Sequence, residues 1–426
     1  MRVSATPESM KLNGSPADES DERVRRVDDW DADVLRRLAD EYGTPLYVTD
    51  LDRVRDNYRR IDAAFDDEEV MYAAKANTAR AVLEALDEED ARIECAAGGE
   101  IQRAVEAGAD AGEIQYTAVN PPDEDLDYAV GLWRDGASGM TFNVGAESTV
   151  ERLAERGFDG RLCFRVNPGI GAGHHEKVAT GAHPKFGVPY DRVPELVEHV
   201  RDEHEMEFVG LHAHMGSGML DDDLGAHTEF VRRMSDLAED CAPVEFVDIG
   251  GGFGVPYRDE EKPLDLSSLV EGIRGAFDAD AELAVEPGRY VVGDAGILLM
   301  RVNTVKDTPE TTVVGVDASM TTLVRPALYD AYHPIRNLSG GGETEPLTVG
   351  GPVCESTDVF CENRPMPRPE RDDLLAVGVV GAYGYEMASQ FHSQPRPADI
   401  GIQDGEVRPI RRRETVDDIT EKESSF

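Results

Sequence analysis

VMYAAKA at residues 70–76 is an apolar run of strand length that ends next to a lysine, and it begins a repeating pattern. Seven further runs follow: RIECA (92–96), IQYTAV (114–119), MTFNV (140–144), RLCFRVN (161–167), FVGLHAHM (208–215), VEFVDIG (244–250) and ELAVEPG (282–288). Segments with helical periodicity, such as ARAVLEAL and GEIQRAVEAG, separate them. Eight strand–helix alternations predict an α/β fold, specifically a (β/α)8 TIM-type barrel rather than an open sheet.

The sequence pattern changes near residue 292. Beyond it, short strand-like segments such as TTVVGVDA and DLLAVGVVGAY replace the alternation of strand-like and helical segments. We therefore predict a barrel over 51–292 and a C-terminal β domain over 293–412. The segment 29–50, which includes PLYVTD, is expected to pack with the β domain or to cross into the barrel. Residues 1–28 are polar and acidic and predict a flexible arm, and 413–426 predict a flexible tail.

The composition is strongly acidic, with 86 acidic against 43 basic side chains and a formal net charge of −43. A field this negative repels nucleic acid and anionic membranes, so neither is an expected partner. Lysine is scarce, and acidic residues are spread along the whole chain. Such a surface suits high salt, where screening shortens like-charge repulsion, so we expect a halophilic source.

The start of the chain, MRVSATPESMKLNGSPADESDER, lacks the apolar core of a signal peptide. No later stretch approaches the ~18 apolar residues of a membrane span, and a cytoplasmic protein is expected. The five cysteines are odd in number and form no CxxC pair. Neither a disulfide framework nor a metal site is predicted from them.

Lys75 is the first candidate for chemistry, because active sites of such barrels lie at the C-terminal ends of the strands. The sequence predicts that Lys75 closes the first barrel strand. A lysine there is costly unless its charge is compensated or its amine is used as a nucleophile, since desolvation lowers its pKa. The alternative is a structural lysine whose stem is buried and whose ammonium reaches water.

Two further strand ends carry groups that suit a phosphorylated ring. The seventh strand runs into the glycine turn 250–254, whose backbone N–H groups can cradle a phosphate. The eighth ends in Glu286-Pro287-Gly288-Arg289, where the carboxylate can pair with a protonated ring nitrogen and the guanidinium with a phosphate or carboxylate. An ordinary sharp turn and a surface ion pair are the alternatives.

The sixth strand carries His212 and His214, whose spacing predicts that both lie on one face of the strand, followed by Ser217. His214 can stack on a flat ring, and Ser217 can bond a phosphate oxygen. The competing interpretation is a metal pair, as in barrel hydrolases. In those enzymes the HxH motif belongs to the first strand and later strands supply more histidines, which this sequence does not match.

Ten ordered motifs resemble one known family. They are YAAKAN (72–77), IECAAGGEI, RVNP (165–168), TG-x-x-x-KFG (180–187), GLHAHMGS (210–217), DIGGGFGVPY, EPGRYVV, VRPALYDAYHPI, GPVCESTDV (351–359) and GAYGYEM (381–387). Over roughly 30–412 they resemble the alanine-racemase-fold (fold type III) decarboxylases that use pyridoxal 5'-phosphate (PLP), and most of all the diaminopimelate decarboxylases. The resemblance implies decarboxylation of meso-2,6-diaminopimelate to L-lysine and CO2.

The resemblance also implies roles for individual residues. Lys75 would carry PLP covalently, His214 would stack on its ring, and Glu286 would face the pyridine nitrogen. Further cofactor contacts are implied for Glu94, Arg165, Ser217, Gly251, Gly252, Gly288, Arg289 and Tyr383. Substrate contacts are implied for Arg289, Arg325, Tyr329, Glu355 and Tyr383.

Catalysis would rest on Lys75 and Cys354, the two candidates for the acid that protonates Cα. Cys354 and Glu355 are implied to reach in from a second subunit, so a homodimer is expected. The chemistry of the side chains agrees with this, because Arg289 and Arg325 suit a carboxylate and Glu355 suits a distal ammonium.

Three other functions stay open from the sequence. A related PLP decarboxylase would act on ornithine, arginine or carboxynorspermidine. A silent PLP-fold protein would only bind partners, and retention of Lys75 and Cys354 argues against it. A metal-dependent barrel hydrolase would lose its activity with a chelator.

Overall fold

The computed structural model describes residues 10–11, 24–170, 183–340 and 342–426. The chain divides into two compact units, one formed by residues 1–54 and 292–426 and the other by residues 55–291. We call them the β unit and the barrel unit. The predicted arm 1–28 lies largely outside the described residues, as do positions 180–182 of the TG-x-x-x-KFG motif.

Nineteen strands are present in the described residues, and most are short. In chain order they are β1 (Met10–Lys11), β2 (Leu46–Asp50), β3 (Glu69–Ala73), β4 (Arg92–Cys95), β5 (Gln115–Ala118), β6 (Thr141–Val144), β7 (Arg161–Asn167), β8 (Val188–Pro189), β9 (Glu207–His212), β10 (Phe246–Asp248), β11 (Glu282–Val285), β12 (Gly296–Asp307), β13 (Thr312–Val316), β14 (Ile335–Asn337), β15 (Thr344–Gly350), β16 (Val359–Pro367), β17 (Leu374–Val377), β18 (Ala398–Gln403) and β19 (Glu406–Arg411).

The helices alternate with the strands in the first two thirds of the chain. They are α1 (Ala32–Tyr42), α2 (Leu51–Ala64), α3 (Arg80–Asp87), α4 (Gly98–Ala107), α5 (Asp123–Arg134), α6 (Glu147–Glu155), α7 (Val193–Glu203), α8 (Leu224–Asp240), α9 (Leu266–Arg274), α10 (Arg289–Val292), α11 (Arg325–Tyr329) and α12 (Val416–Thr420). No helix among the described residues is both long and apolar enough to cross a membrane.

The barrel unit contains a closed ring of parallel strands. The order β6-β5-β4-β3-β11-β10-β9-β7 is closed by pairing of β6 with β7, and β8 pairs with β7 outside the ring. Parallel strands covered on both faces are buried along their whole length, and β5 and β6 are buried at every residue. One interior layer consists of Met71, Cys163, Val209, Phe246 and Ala284.

The β unit is a mixed sheet with its own cores. Its main path runs β1-β19-β18-β2-β12-β13-β15-β16, with β17 pairing to β12 and β14 to β17. One core is centred on Leu298, Val314 and Leu347, and a second packs α1 through Leu35 and Leu38. Because β2 pairs with β12 and β18, PLYVTD belongs to this sheet. The tail contains α12, which begins with Thr415 capping the N–H of Asp418.

The predicted α/β class, the barrel and the separate β-rich region are confirmed, and all eight predicted barrel runs form strands. Two local predictions were wrong. β3 ends at Ala73, and Lys75 lies in a 3-10 turn over Ala74–Ala76. β9 ends at His212, so His214 is not on a strand face beside it. In both places the residue lies just beyond the paired ladder, where alternation of faces no longer applies.

Candidate active site

Lys75 lies at the C-terminal end of the barrel, in the turn that follows β3. The turn is held by Asn77, whose backbone N–H donates to the Ala74 carbonyl over 3.1 Å, and by the Tyr72 hydroxyl, which donates to the Asn77 carbonyl over 2.9 Å. Ala74 and Ala76 are buried, while the Lys75 side chain is 35% exposed. The turn therefore presents the amine of Lys75 from an otherwise buried segment.

The amine of Lys75 faces a fully buried carboxylate on the next strand. Its Nζ donates to Oε2 of Glu94 over 2.5 Å, and Glu94 lies in β4 with no exposed surface. Burial raises the pKa of Glu94 to about 7, and the nearby Lys75 ammonium opposes that shift. The Glu94 carboxyl can therefore gain or lose a proton near neutral pH beside the amine of Lys75.

The glycine turn after β10 makes close backbone contacts that side chains would prevent. Gly250 and Gly252 have φ of +69° and +96°, which favour glycine. A Cβ on Gly251 would collide with the Glu286 carbonyl oxygen, and one on Gly252 with the Gly216 carbonyl oxygen. The Gly252 carbonyl accepts bonds of 2.9 Å from the N–H groups of Gly218 and Met219. The loops after β9, β10 and β11 thus meet at one place.

His214 is fixed against this turn as a neutral ring. The Gly251 N–H donates to Nδ1 of His214 over 3.2 Å. Burial lowers the pKa of His214 to about 3, and the positive charges of Lys75 and Arg165 add to the shift. A flat neutral imidazole at this position is suited to stacking on another ring.

Arg289 begins α10, shortly after the end of β11, and is buried. Its Nη2 donates to Oγ of Ser217 over 3.0 Å, and its Nη1 donates to Oη of Tyr257 over 2.6 Å. The guanidinium therefore links the loop that carries Ser217 with the segment that follows the glycine turn. Its charge at this loop cluster suits a phosphate or a carboxylate.

Glu286 and Asp248 are two buried carboxyl groups at the ends of adjacent strands. The Gln115 amide donates to Oδ2 of Asp248 over 2.5 Å and to Oε1 of Glu286 over 3.0 Å. Asp248 Oδ1 also accepts the Gly250 N–H over 2.7 Å, and His212 Nε2 lies 3.3 Å from Glu286 Oε2. This network holds the Glu286 carboxyl from several sides.

The two carboxyls titrate in opposite directions. Burial raises the pKa of Asp248, and the neighbouring Glu286 raises it further. Burial also acts to raise the pKa of Glu286, but contact with His212, the charge of Lys75 and the bond from Asp248 outweigh it, so that the pKa is lowered. Like charges this close cannot both ionise, and the proton is therefore held by Asp248.

The ligand atoms of His212, Asp248 and Glu286 lie within 4.8 Å of one another, a grouping of the kind that can hold a metal ion. The Gln115 amide directs its hydrogens toward both carboxyls, and donor hydrogens oppose a cation at the same place. A shared proton between the carboxyls satisfies the geometry without a metal.

The implied site residues divide between the two units. Those in the barrel unit come together at the strand ends: Lys75, Glu94, Arg165, His214, Ser217, Gly251, Gly252, Glu286, Gly288 and Arg289. Arg165 lies in β7 and is buried, and a Cβ on Gly288 would contact Ala73 and Ala76 at 3.1–3.3 Å. The remaining predicted residues, Arg325, Tyr329, Cys354, Glu355 and Tyr383, belong to the β unit.

Within the β unit these residues differ in exposure. Arg325 begins α11, is buried, and lies 3.3 Å from His333 through its Nε. Cys354 and Glu355 are exposed on the loop between β15 and β16. The loop is anchored by Asp358, whose carboxylate accepts the N–H of Val353 over 2.8 Å.

Sequence reasoning missed three residues of the site: Gln115, Asp248 and Tyr257. An aspartate inside an apolar strand that runs into a glycine turn is a signal for Asp248, since a buried carboxyl needs partners. Gln115 is likewise a polar residue in a buried strand. No local pattern points to Tyr257, because its contact with Arg289 joins positions 32 residues apart.

A family model described as "Pyridoxal-dependent decarboxylase, pyridoxal binding domain" matches residues 51–293. A diaminopimelate decarboxylase of Methanothermobacter thermautotrophicus is 43% identical, with 90% of this chain and 92% of the relative covered. One of Aquifex aeolicus is 33% identical, with 91% and 93% covered.

Solved structures agree with these relatives. Diaminopimelate decarboxylase from Helicobacter pylori, complexed with L-lysine, has a TM-score of 0.84 at 31% identity, covering 91% of this chain and 98% of that one. The enzyme from M. jannaschii in co-complex with L-lysine also has a TM-score of 0.84, at 30% identity and with 95% and 96% covered. With the matching barrel domain and the long alignments over both units, the chain belongs to the diaminopimelate decarboxylase family of PLP-dependent decarboxylases.

Proposed function

We propose that this enzyme removes CO2 from meso-2,6-diaminopimelate with PLP as cofactor and yields L-lysine. The observation that carries the proposal is the Lys75–Glu94 pair at the C-terminal end of the barrel, where a reactive amine meets a buried carboxylate of raised pKa. The family and its lysine-complexed structures support the choice of substrate.

The residues present fit PLP by their chemistry. The glycine turn leaves backbone room that any side chain would fill, which suits a phosphate, and Ser217 and Arg289 add polar donors beside it. His214 offers a neutral ring, and Glu286 offers a carboxylate held ionised. Lys75 would hold the cofactor covalently, and Glu286 would face its ring nitrogen.

When bound, PLP supplies an electron sink for the electron pair left at the substrate α-carbon as CO2 departs. Lys75 would give up the cofactor to the substrate amine, and Glu94 would accept or return a proton at Nζ. Asp248 keeps its proton and so leaves Glu286 charged. Lys75 and Cys354 are the two candidates for the acid that protonates the α-carbon.

Substrate selection would use the β unit. Arg325 is a buried guanidinium suited to the distal carboxylate, and Glu355 would meet the distal ammonium. Tyr329 and Tyr383 would assist. Because Cys354 and Glu355 are exposed in the single chain, we propose that they complete the site of a second subunit in a homodimer.

A related substrate with one carboxylate, such as ornithine, is the second candidate. A lysine/ornithine decarboxylase from Vibrio vulnificus shares the fold at a TM-score of 0.77 but only 22% identity. Such a substrate would leave the second guanidinium without a carboxylate, which disfavours it. We also propose a cytoplasmic enzyme adapted to high salt, on the basis of the net charge of −43.

The activity is tested with purified PLP-loaded enzyme in high-salt buffer. We expect release of CO2 and L-lysine from meso-diaminopimelate, and kcat/KM at least tenfold lower for ornithine and arginine. A preference for either of those would overturn the substrate assignment. Mixing Lys75→Ala with Cys354→Ala subunits tests the dimer: partial activity should return, and its absence would contradict a shared site.

A further inference from the structure

A second cluster of ligand-type side chains lies on the barrel unit, away from the loops that follow the strands. Glu151 lies in the middle of α6 and His199 in the last turns of α7. His204 follows the end of α7 and has extended backbone angles (φ −124°, ψ 154°). Because His204 precedes β9, this end of the cluster is at the N-terminal side of the barrel, opposite the turn of Lys75.

The three side chains converge on one point. Nε2 of His199 and Nε2 of His204 each lie 3.8 Å from the same oxygen, Oε1 of Glu151. The ligand atoms all lie within 4.8 Å of one another, and the two imidazole rings are 5.3 Å apart at an interplanar angle of 84°. Two rings from separate positions thus aim the same type of nitrogen at one carboxylate oxygen.

These distances suit metal ligands better than hydrogen bonds. A separation of 3.8 Å exceeds the roughly 2.7–3.2 Å of an N–H···O bond. Two ligands bound to one zinc ion at about 2.0–2.2 Å can be up to about 4.2 Å apart. Both nitrogen–oxygen separations fall inside that limit, and with all ligand atoms within 4.8 Å of one another the side chains would have to close around the ion to complete the set.

The buried nitrogen of His204 is the second observation. Its Nε2 is shielded from solvent and has no hydrogen-bond partner among the described residues, and the side chain is only 11% exposed. A polar atom left this way is costly, and coordination of an ion would remove the cost. The carboxylate of Glu151 is 56% exposed, so an ion can reach the cluster from solvent.

We propose that Glu151, His199 and His204 form a binding site for a divalent transition-metal ion of the zinc type. Two imidazoles and one carboxylate favour zinc, cobalt or nickel over magnesium or calcium, which prefer oxygen ligands. The net charge of −43 raises the local concentration of cations. The ion would join α6 to the end of α7 and stabilise the barrel, with an open position left for water.

A protonated histidine paired with Glu151 is the competing explanation, and it predicts no metal dependence. The experiment uses the full-length PLP-loaded enzyme, stripped of metal with a chelator and titrated with ZnCl2 by calorimetry in high salt. The variants are His204→Ala, His199→Ala and Glu151→Gln. His392→Asn is the control, because His392 is exposed and asparagine tolerates its positive φ of 58°.

We expect the parent and the control to bind one zinc equivalent more per chain than His204→Ala or His199→Ala. Glu151→Gln should weaken that site at least tenfold. Zinc should raise the midpoint of thermal unfolding in the parent and control only. Equal zinc stoichiometry and equal thermal shifts in all folded variants would overturn the proposal. Decarboxylation is measured in parallel and should be unchanged in the variants, so this test is independent of the proposed function.

Discussion

Replacing Gln115 by methionine tests whether its amide keeps the two buried carboxyls in their opposite charge states. Methionine has a similar length but donates no hydrogen bond. The change removes the 2.5 Å bond to Asp248 and the 3.0 Å bond to Glu286. A bond to a charged group contributes about 1.5–3 kcal/mol and a neutral one about 0.5–1.5 kcal/mol. We expect the free energy of unfolding to fall by about 2–4 kcal/mol near pH 8.

The loss should depend on pH, with a sign set by Asp248. Because burial raises the folded-state pKa of Asp248, its contribution to stability is complete below the ordinary carboxyl pKa near ~4 and is lost as pH rises through the raised value. Without the Gln115 amide, nothing at this position stabilises the second carboxylate as it ionises. The destabilisation by Gln115→Met, followed from about pH 5 upward, should therefore be constant while Asp248 keeps its proton and grow only as the pH rises through its raised pKa.

The assay is denaturant unfolding at several pH values, with Asn143→Leu as the matched control. Asn143 is another buried amide, one strand away, and among the described residues its Nδ2 donates a single long bond of 3.5 Å to Thr117. The control should lose less stability, with no dependence on pH over this range. Equal losses in the two variants, or a loss for Gln115→Met that shrinks as the pH rises, would refute the reasoning.

Three further predictions follow from other residues. His227 is 2% exposed, and burial lowers its pKa from 6.5 to about 4. The stability that this neutral ring contributes above pH 6.5 should be lost as the pH falls through 4, a decrease of about 3 kcal/mol in the free energy of unfolding. His227→Leu should remove this decrease from the pH profile of unfolding, and an unchanged profile would contradict the prediction. Gly252→Ala should weaken PLP binding at least tenfold in an equilibrium titration. The added Cβ would collide with the Gly216 carbonyl oxygen, and the φ of +96° at this position is unfavourable for alanine. An undiminished affinity would show that PLP binding does not depend on this turn. Arg289→Lys should lose one of the two bonds to Ser217 and Tyr257. Steady-state kinetics should then show KM raised by a larger factor than kcat is lowered. A larger effect on kcat than on KM would count against a binding role for Arg289.

The barrel could be predicted because its strands are buried on both faces and each is a distinct apolar run. Lys75, the glycine turn and Glu286 could be placed at the same end, since parallel strands of a barrel all end there. The exact ends of β3 and β9 could not be predicted from alternation. They depend on hydrogen bonds from distant strands and loops, such as that from the Ala73 N–H to the Pro287 carbonyl over 3.1 Å.

The network around Glu286 could not be predicted for a related reason. Gln115 and Asp248 are separated by 133 residues and meet only because β5 and β10 face each other across the interior of a closed ring. Nothing local distinguishes Gln115 from any other polar residue in a strand. The Glu151–His199–His204 cluster likewise joins a helix to the end of a later one.

The attachment of PLP to Lys75 is the central claim, and one measurement tests it directly. The PLP-loaded enzyme is reduced with borohydride, which fixes the cofactor to its lysine, and is then digested and mapped by mass spectrometry. The chain contains seven lysines, and Lys75, in the turn that follows β3, lies beside Glu94. We predict the pyridoxyl mass on the peptide containing Lys75 and its loss in Lys75→Ala. The same mass on another lysine, or unchanged labelling in Lys75→Ala, would contradict the account.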